Sequence, residues 1–412
     1  MSSTVGSSSV WAGRTLALLG IVLLAVNLRT GVAVLAPIVR SISEDVPLSS
    51  VGIGLLGMLP PLAFAASGFV APLLARRIGL EATIVLACAA MVAGPIIRAV
   101  APDYAVLLLG SVVLLAGMGF GNILLPPVIK RYFPTRIGTM TSVYATLMAV
   151  GASLPPLVAA PLAQASSWRV ALGVWAIAAL IAAVPWMLLW RDRRRETRAE
   201  LAGDALATPE PQVVGRMMYS RIAWAIALAF MLTSFNVYAI FAWLPEIVAD
   251  LTGAPATAAG SLLALFAITG LPFAILMPLL ATRVRNTGVL VGAGTTLFIV
   301  GYLGMLLAPG VATGLWVVLL GSGPLIFPLT LALINLRTRS HASSVALSGF
   351  VQGIGYGGAA LGPLAVGLIH DVTHGWTIPL IFLLGTMLLT IGPALELASP
   401  RTVEEDLARR VS

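Results

Sequence analysis

Apolar runs, each bounded by charged or turn residues, recur along the whole chain. About 20 apolar residues are needed to cross the roughly 30 Å hydrocarbon core of a bilayer. Twelve runs answer to that length, six over residues 15–39, 49–74, 80–101, 104–128, 138–164 and 168–190, and six over 221–249, 257–282, 286–308, 312–334, 343–370 and 376–398. One polar stretch, Arg191 to Ser220, separates the two sets. The pattern predicts an all-α membrane protein with twelve transmembrane helices in two six-helix bundles. Its parts are a tail (residues 1–14), a first bundle (15–190), an inter-bundle loop (191–220), a second bundle (221–398) and a second tail (399–412).

The bundles read as repeats of one another. Pro72-Leu73-Leu74-Ala75-Arg76-Arg77 closes the second span, and Pro278-Leu279-Leu280-Ala281-Thr282-Arg283 closes the eighth, 206 positions later, which is half of 412. The loops that follow are equivalent, with Arg76, Arg77 and Arg283 as candidate gating residues. Gly119-Phe120-Gly121 in the fourth span answers Gly321-Ser322-Gly323 in the tenth. Parallel six-helix repeats are a recurrent transporter architecture, with substrate bound between the repeats near the midplane. Within the spans, Gly353, Gly355, Gly357, Gly358, Gly362 and Gly367 of the eleventh, which include small residues four apart, predict close helix contact. Pro126-Pro127, Pro155-Pro156, Pro185 and Pro328 are expected to bend or break their helices.

The net charge of +8 changes meaning once it is placed on this topology. Arginine and lysine collect in cytoplasmic loops. Taking alternate loops, one side receives twenty of these residues and the other only Arg40, Arg98 and Arg169, with Arg29 left inside a span. Both termini and the central loop are thus expected to be cytoplasmic. The run Arg191 to Arg198 reads as a topogenic anchor, and the charge does not call for nucleic acid. Hydrophobic residues make up 59% of the chain and charged ones 10%, against roughly 25% charged in soluble domains. The single cysteine, Cys88, excludes an internal disulfide and a thiolate metal cluster.

Arg29 is the one basic residue deep within an apolar run, away from its ends. Neither Leu16–Val26 nor Val32–Val39 spans a membrane alone, so Asn27-Leu28-Arg29-Thr30-Gly31 must lie inside the first span. An arginine there costs at least roughly 2.5–3.5 kcal/mol on insertion scales and is expected to face a bundle interior or an aqueous cavity. It either binds a substrate or caps backbone carbonyls of a neighbouring helix. Acidic residues lie near span ends (Glu81, Glu246, Asp250, Glu396), so a small anion suits Arg29 as counter-charge, held through the planar guanidinium fork. Polar neighbours come from Asn27, Asn122, Asn236, Tyr238, Gln352 and Trp243; Asn236 stands close to the position 206 residues after Arg29 and shares a helix face with Trp243. Each has a packing role as its alternative.

Other chemistry is unsupported. A P-loop needs lysine after glycine, and the only lysine, Lys130, follows Pro127-Val128-Ile129. No G-x-S-x-G elbow occurs. His370-Asp371-Val372-Thr373-His374 imitates a zinc motif where a helix is stopping, and no metal, cofactor or catalytic residue is expected.

Asn27-Leu28-Arg29, Gly121-Asn122-Ile123-Leu124-Leu125-Pro126, Lys130-Arg131-Tyr132-Phe133-Pro134, Ala242-Trp243-Leu244-Pro245 and His370-Asp371 through Gly375-Trp376 together resemble the cyanate-permease and 2-nitroimidazole-transporter family of the major facilitator superfamily. The resemblance runs through all twelve spans. It implies two bundles working by alternating access in a bacterial inner membrane, with a small, often anionic or nitro-bearing substrate. Arg76-Arg77-Ile78-Gly79 departs from the superfamily pattern G-x-x-x-D-R-x-G by lacking the aspartate, which puts the charge-relay gating of that loop in doubt.

The expected function is secondary active transport of a small anion such as cyanate. The alternative is export of small organic compounds of the 2-nitroimidazole kind; a channel or membrane sensor is a third reading, and an enzyme is not expected. Expected partners are the substrate and the lipid bilayer, with a coupling proton admitted by the resemblance and a monomer as the oligomeric state.

Overall fold

The computed structural model describes residues 6–133, 136–194, 217–339 and 341–408, and these are almost entirely helical. Most of the inter-bundle loop (residues 195–216), the chain ends (1–5 and 409–412) and the side chain of Arg76 lie outside the described residues. Packing divides the chain into two units, Met1–Pro47 with Ala63–Leu206 and Leu48–Leu62 with Ala207–Ser412. The second span contributes its first part to one unit and its remainder to the other.

In the first unit α1 begins as Gly6–Asn27, is interrupted, and continues as the turn Thr30–Ala33, a 3-10 turn Ala36–Ile38 and a short helix Val39–Asp45. It is followed by α2 (Ser50–Ile78), α3 (Leu80–Ala99), α4 (Tyr104–Tyr132), α5 (Ile137–Ala165) and α6 (Trp175–Arg194, preceded by the short helix Trp168–Gly173). Helix α3 packs along α4 and α6, and α1 lies against α5 and α6. Caps fix the helix starts: Asp103 accepts from the Val106 N–H at 3.0 Å and Ser167 from that of Val170 at 3.3 Å.

In the second unit α7 (Arg221–Thr252) is continuous, starting at Ser220, which caps Ala223, and ending at Gly253 with φ +70°. Next come α8 (Ala256–Thr269 and Leu271–Arg283), α9 (Gly288–Leu307), α10 (Thr313–Ser322 and Ile326–Leu336, joined by a 3-10 turn), α11 (His341–Ala359 and Leu361–Thr373) and α12 (Thr377–Leu388 and Ile391–Leu397). Gly355 and Gly358 of α11 face Phe230 and Met231 of α7, the close contact expected of those glycines. Among the described residues, eleven helices are long and apolar enough to cross a membrane, one for each expected span except the eleventh. That span is the pair of helices meeting at Ala360.

No break falls at a proline singled out in the sequence. Helices α4, α5 and α6 run through Pro126, Pro127, Pro155, Pro156 and Pro185, and Pro328 lies inside the second part of α10. The interruptions fall instead at Leu28-Arg29, at Val174, at Gly270, at Gly323–Leu325, which contains Pro324, at Ala360 and at Leu389-Thr390. Proline in a spanning helix is tolerated because neighbouring helices re-satisfy the freed carbonyls.

Two contacts reproduce the internal repeat at side-chain level. Trp168 donates its indole N–H to Asp45 at 2.9 Å, and Trp376 donates to Asp250 at 2.9 Å, so each half ties the start of its sixth span to the end of its first. Glu81, at the start of α3, lies 3.6 Å from Arg131 at the end of α4; the residues 206 positions later, Thr287 and Arg337, are hydrogen-bonded at 2.9 Å. Glu81 is also buried and accepts from the Tyr132 hydroxyl at 2.8 Å. The carboxylate missing from the loop after α2 thus has a neighbour in the first turn of α3.

The second tail is in part folded. Residues Val403–Ala408 form α13, with Val403 buried and its N–H donating to the Arg337 carbonyl at 2.8 Å. Asp406 accepts from the Ser220 hydroxyl at 2.8 Å and the Arg221 N–H at 2.6 Å, at the N-terminus of α7.

Candidate functional site

Helix α1 loses its hydrogen-bond ladder at Leu28-Arg29. The Leu28 N–H reaches back only three residues to the Ala25 carbonyl, Arg29 has φ −125° and ψ −9°, and the Thr30 hydroxyl donates to the Asn27 carbonyl at 3.0 Å. Gly151 of α5 approaches so closely that a Cβ there would collide with the Val26 carbonyl oxygen. Only glycine lets α5 cover the freed carbonyls at the interruption. In an apolar setting such groups must be covered by protein or line a cavity.

Arg29 emerges from this break. Its guanidinium carbon stands 5.0 Å from the centre of the Phe64 ring of α2, and its charge reaches Tyr144 of α5. The side chain is half-buried, and among the described residues it makes no ion pair. A cation over an aromatic face gains about 0.5–2 kcal/mol, which leaves most of the desolvation cost of a guanidinium in a spanning segment to be met otherwise. The fork of N–H donors remains available for a planar or linear anion. Asn122 of α4, also half-buried, makes no hydrogen bond among the described residues.

The other polar residues of the spans have protein partners. The Asn27 side chain donates to the carbonyls of Leu23 at 2.8 Å and Ala178 at 3.3 Å, tying α1 to α6. Asn236 is fully buried: its amide donates to the Leu232 carbonyl and the Thr386 hydroxyl, both at 2.9 Å, and accepts from the Tyr302 hydroxyl at 2.7 Å. Every one of those bonds lies within the second unit. Trp243 is buried with its N–H on the Pro363 carbonyl at 2.9 Å, its ring beside those of His370 and Trp376. Gln352, half-buried, donates to Ser348 on its own helix at 2.8 Å, and Tyr238 is buried. Arg77 and Arg283 are exposed at the ends of α2 and α8.

Three further residues need placing. Phe64 carries no polar signal, and only its place under Arg29 singles it out. Arg98 was expected in a loop; it is instead buried in the last turn of α3, donating to the Ser111 hydroxyl at 2.8 Å and the Gly31 carbonyl at 3.2 Å. Glu246, expected near a loop, lies inside α7 and is half-buried.

A solved structure titled as a bacterial homologue of the human lysosomal transporter Spinster, inward-facing and unoccupied, superposes with a TM-score of 0.70 at 17% identity, over 97% of this chain and 99% of its own. The fold is that of a helical membrane transporter. The Major Facilitator Superfamily model matches residues 18–357, and the chain belongs to that superfamily. Its relatives include an uncharacterized transporter of Bacillus subtilis (33% identical, covering 90% of each chain) and the 2-nitroimidazole transporter of Escherichia coli (31%, 92% of this chain and 94% of the relative). The cyanate transport protein of Escherichia coli is 28% identical over 91% of this chain and 96% of its own. The chain is therefore a member of the superfamily group that contains these proteins, and a membrane transporter of a small solute.

Proposed function

We propose that the protein is a secondary active transporter of a small anion of the cyanate type, with Arg29 as the anion's partner. The observation that carries this reading is a half-buried guanidinium at a helix break, set over an aromatic ring, with no carboxylate paired to it among the described residues. An anion there would supply the missing counter-charge and take two parallel hydrogen bonds from the fork. Asn122, half-buried on the same unit, is the candidate for a second polar contact. Binding that favours one of two bundle arrangements would drive alternating access. The basic loops support both termini on the cytoplasmic side of a bacterial inner membrane. If a proton is the coupling ion, Glu246, inside a helix and half-buried, is the carboxylate to replace first.

The test is uptake of cyanate into vesicles carrying the purified protein. Arg29→Ala should abolish it at unchanged protein level, and Arg29→Lys should retain a part. Full uptake by Arg29→Ala would remove the anion reading. A second reading, export of nitro-heterocycles, is favoured by the aromatic setting of Arg29 over the buried Phe64 ring, since a nitro group can accept from the guanidinium fork as an anion would. Thermal stabilisation of the purified protein by 2-nitroimidazole and not by cyanate would select it.

A further inference from the structure

Arg98 is more deeply buried than Arg29, at 1% exposure, and among the described residues it too has no carboxylate. Its partners are neutral: the Ser111 hydroxyl, itself donating to the Leu107 carbonyl at 2.7 Å, and the Gly31 carbonyl. A guanidinium taken fully out of water is expensive to keep, so what it holds deserves a reason.

What it holds is the segment that carries Arg29. Gly31 lies two residues beyond Arg29 in the four-residue turn Thr30–Ala33. Among the described residues beyond that turn no backbone N–H is bonded to the Gly31 carbonyl, and Arg98 supplies a donor to it from α3. The opposite face of Gly31 is closed by α4, where a Cβ would lie 2.5 Å from Leu114 and 2.8 Å from Met118. The turn is thus pressed on one helix and tethered to another, and only two peptide units, with Thr30 between them, separate Gly31 from the root of the Arg29 side chain.

We propose that Arg98 is a positioning residue, whose hydrogen bond to the Gly31 carbonyl fixes the resumption of α1 and so aims the Arg29 guanidinium. It acts through Arg29 and does not touch substrate. The cation suits the task because its planar fork bonds Ser111 and Gly31 at once, and a shorter or neutral side chain would reach one of them only. The functional consequence rests on the anion reading of Arg29; the structural claim does not.

The test has two arms. In the first, Cys88→Ala removes the one native thiol, Arg29→Cys places a reporter at the break, and labelling by a charged maleimide is timed with and without Arg98→Gln. Labelling at position 29 should change at least threefold, with Asn122→Cys unchanged as control, and Arg98→Lys, which can reach only one of the two partners, should restore the original rate only in part. An unchanged rate at position 29 overturns the proposal whatever the transport results. If Arg98→Gln does not fold, Ser111→Ala, which frees the Nε partner alone, should move the rate in the same direction by less. In the second arm, Arg98→Gln should raise the KM for cyanate about tenfold with the maximal rate kept within twofold, and the loss should not add to that of Arg29→Lys, which keeps a measurable part of the uptake. Additive losses would make Arg98 an independent structural residue and overturn its action through Arg29. Absence of cyanate uptake in the wild type would sink the anion reading alone and leave the labelling arm to decide the positioning.

Discussion

Asn236 is the counterpart of Asn27. Each side-chain amide donates to the carbonyl one turn back on its own helix, Leu23 or Leu232, and to the sixth span of its own half, at Ala178 or Thr386. The register is 209 (236 less 27), three more than the 206 that relates the loops. In that register Arg29 answers to Tyr238, on a helix that stays continuous where α1 breaks. The two halves share a scaffold of asparagine clasps, and only the first interrupts its leading helix to present a cation.

Asn236 should behave as a packing residue. Asn236→Ala leaves the buried Tyr302 hydroxyl without the acceptor it uses and the Thr386 hydroxyl without its donor. Burying unsatisfied groups costs roughly 1–3 kcal/mol each, so the melting temperature of the purified protein should drop clearly. Substrate-induced stabilisation of the folded fraction should be unchanged. Lost ligand response at an unaltered melting temperature would return Asn236 to the substrate site.

At Glu81 the hydroxyl partner should outweigh the cation. Arg131 is 38% exposed and 3.6 Å away, where screening by water leaves an ion pair about 0–1 kcal/mol. The Tyr132 hydroxyl is buried at 2.8 Å, and a hydrogen bond to a charged group is worth about 1.5–3 kcal/mol. Tyr132→Phe should therefore destabilise the protein more than Arg131→Ala in paired thermal melts; the reverse order would show that the pair is governed by charge.

Asp45 gives the first unit an acid-sensitive contact. The Arg169 guanidinium, then the Trp168 indole N–H, hold its carboxyl below the ordinary carboxylate range. A group whose folded pKa is depressed stabilises the fold above its unfolded pKa, about 3.9, and loses that contribution as pH falls through the lower folded value. Melting temperature should thus carry this contact's full contribution, independent of pH, near neutrality and fall below about pH 4, and Asp45→Asn should lessen that fall. An identical acid limb in the variant would assign it to other carboxylates.

The docked end of the chain should contribute measurably. Asp406 places a negative charge on the first N–H groups of α7, a capping and helix-dipole contact worth about 0.5–2 kcal/mol. Asp406→Ala should cost that much. Removing residues 400–412 should cost more, because it also uncovers the site of Val403 and takes away its bond to the Arg337 carbonyl. Equal melting temperatures for the truncated and full chains would show the segment to be a passive tail.

Much of the architecture was legible from residue order because the bilayer imposes one rule on every span. A run of about 20 apolar residues has few alternatives to a helix, since each backbone group must be satisfied within the segment. Twelve runs, the repeat and the intramembrane position of Arg29 followed from that rule and from counting charges. What it could not supply was direction around and between helices. Arg98, one residue from the end of α3, reads as a loop charge until Ser111 and Gly31 are brought to it. Asn236 reads as a candidate ligand until Tyr302 and Thr386, 66 and 150 positions away, satisfy it. The break at Leu28-Arg29 carries no proline, and it depends on the close approach of Gly151 from another helix. Sequence by itself determined which segments enter the membrane, because hydrophobicity is a local property; only the tertiary structure decided which polar groups stay available for a solute, because hydrogen bonds between distant helices take up the rest.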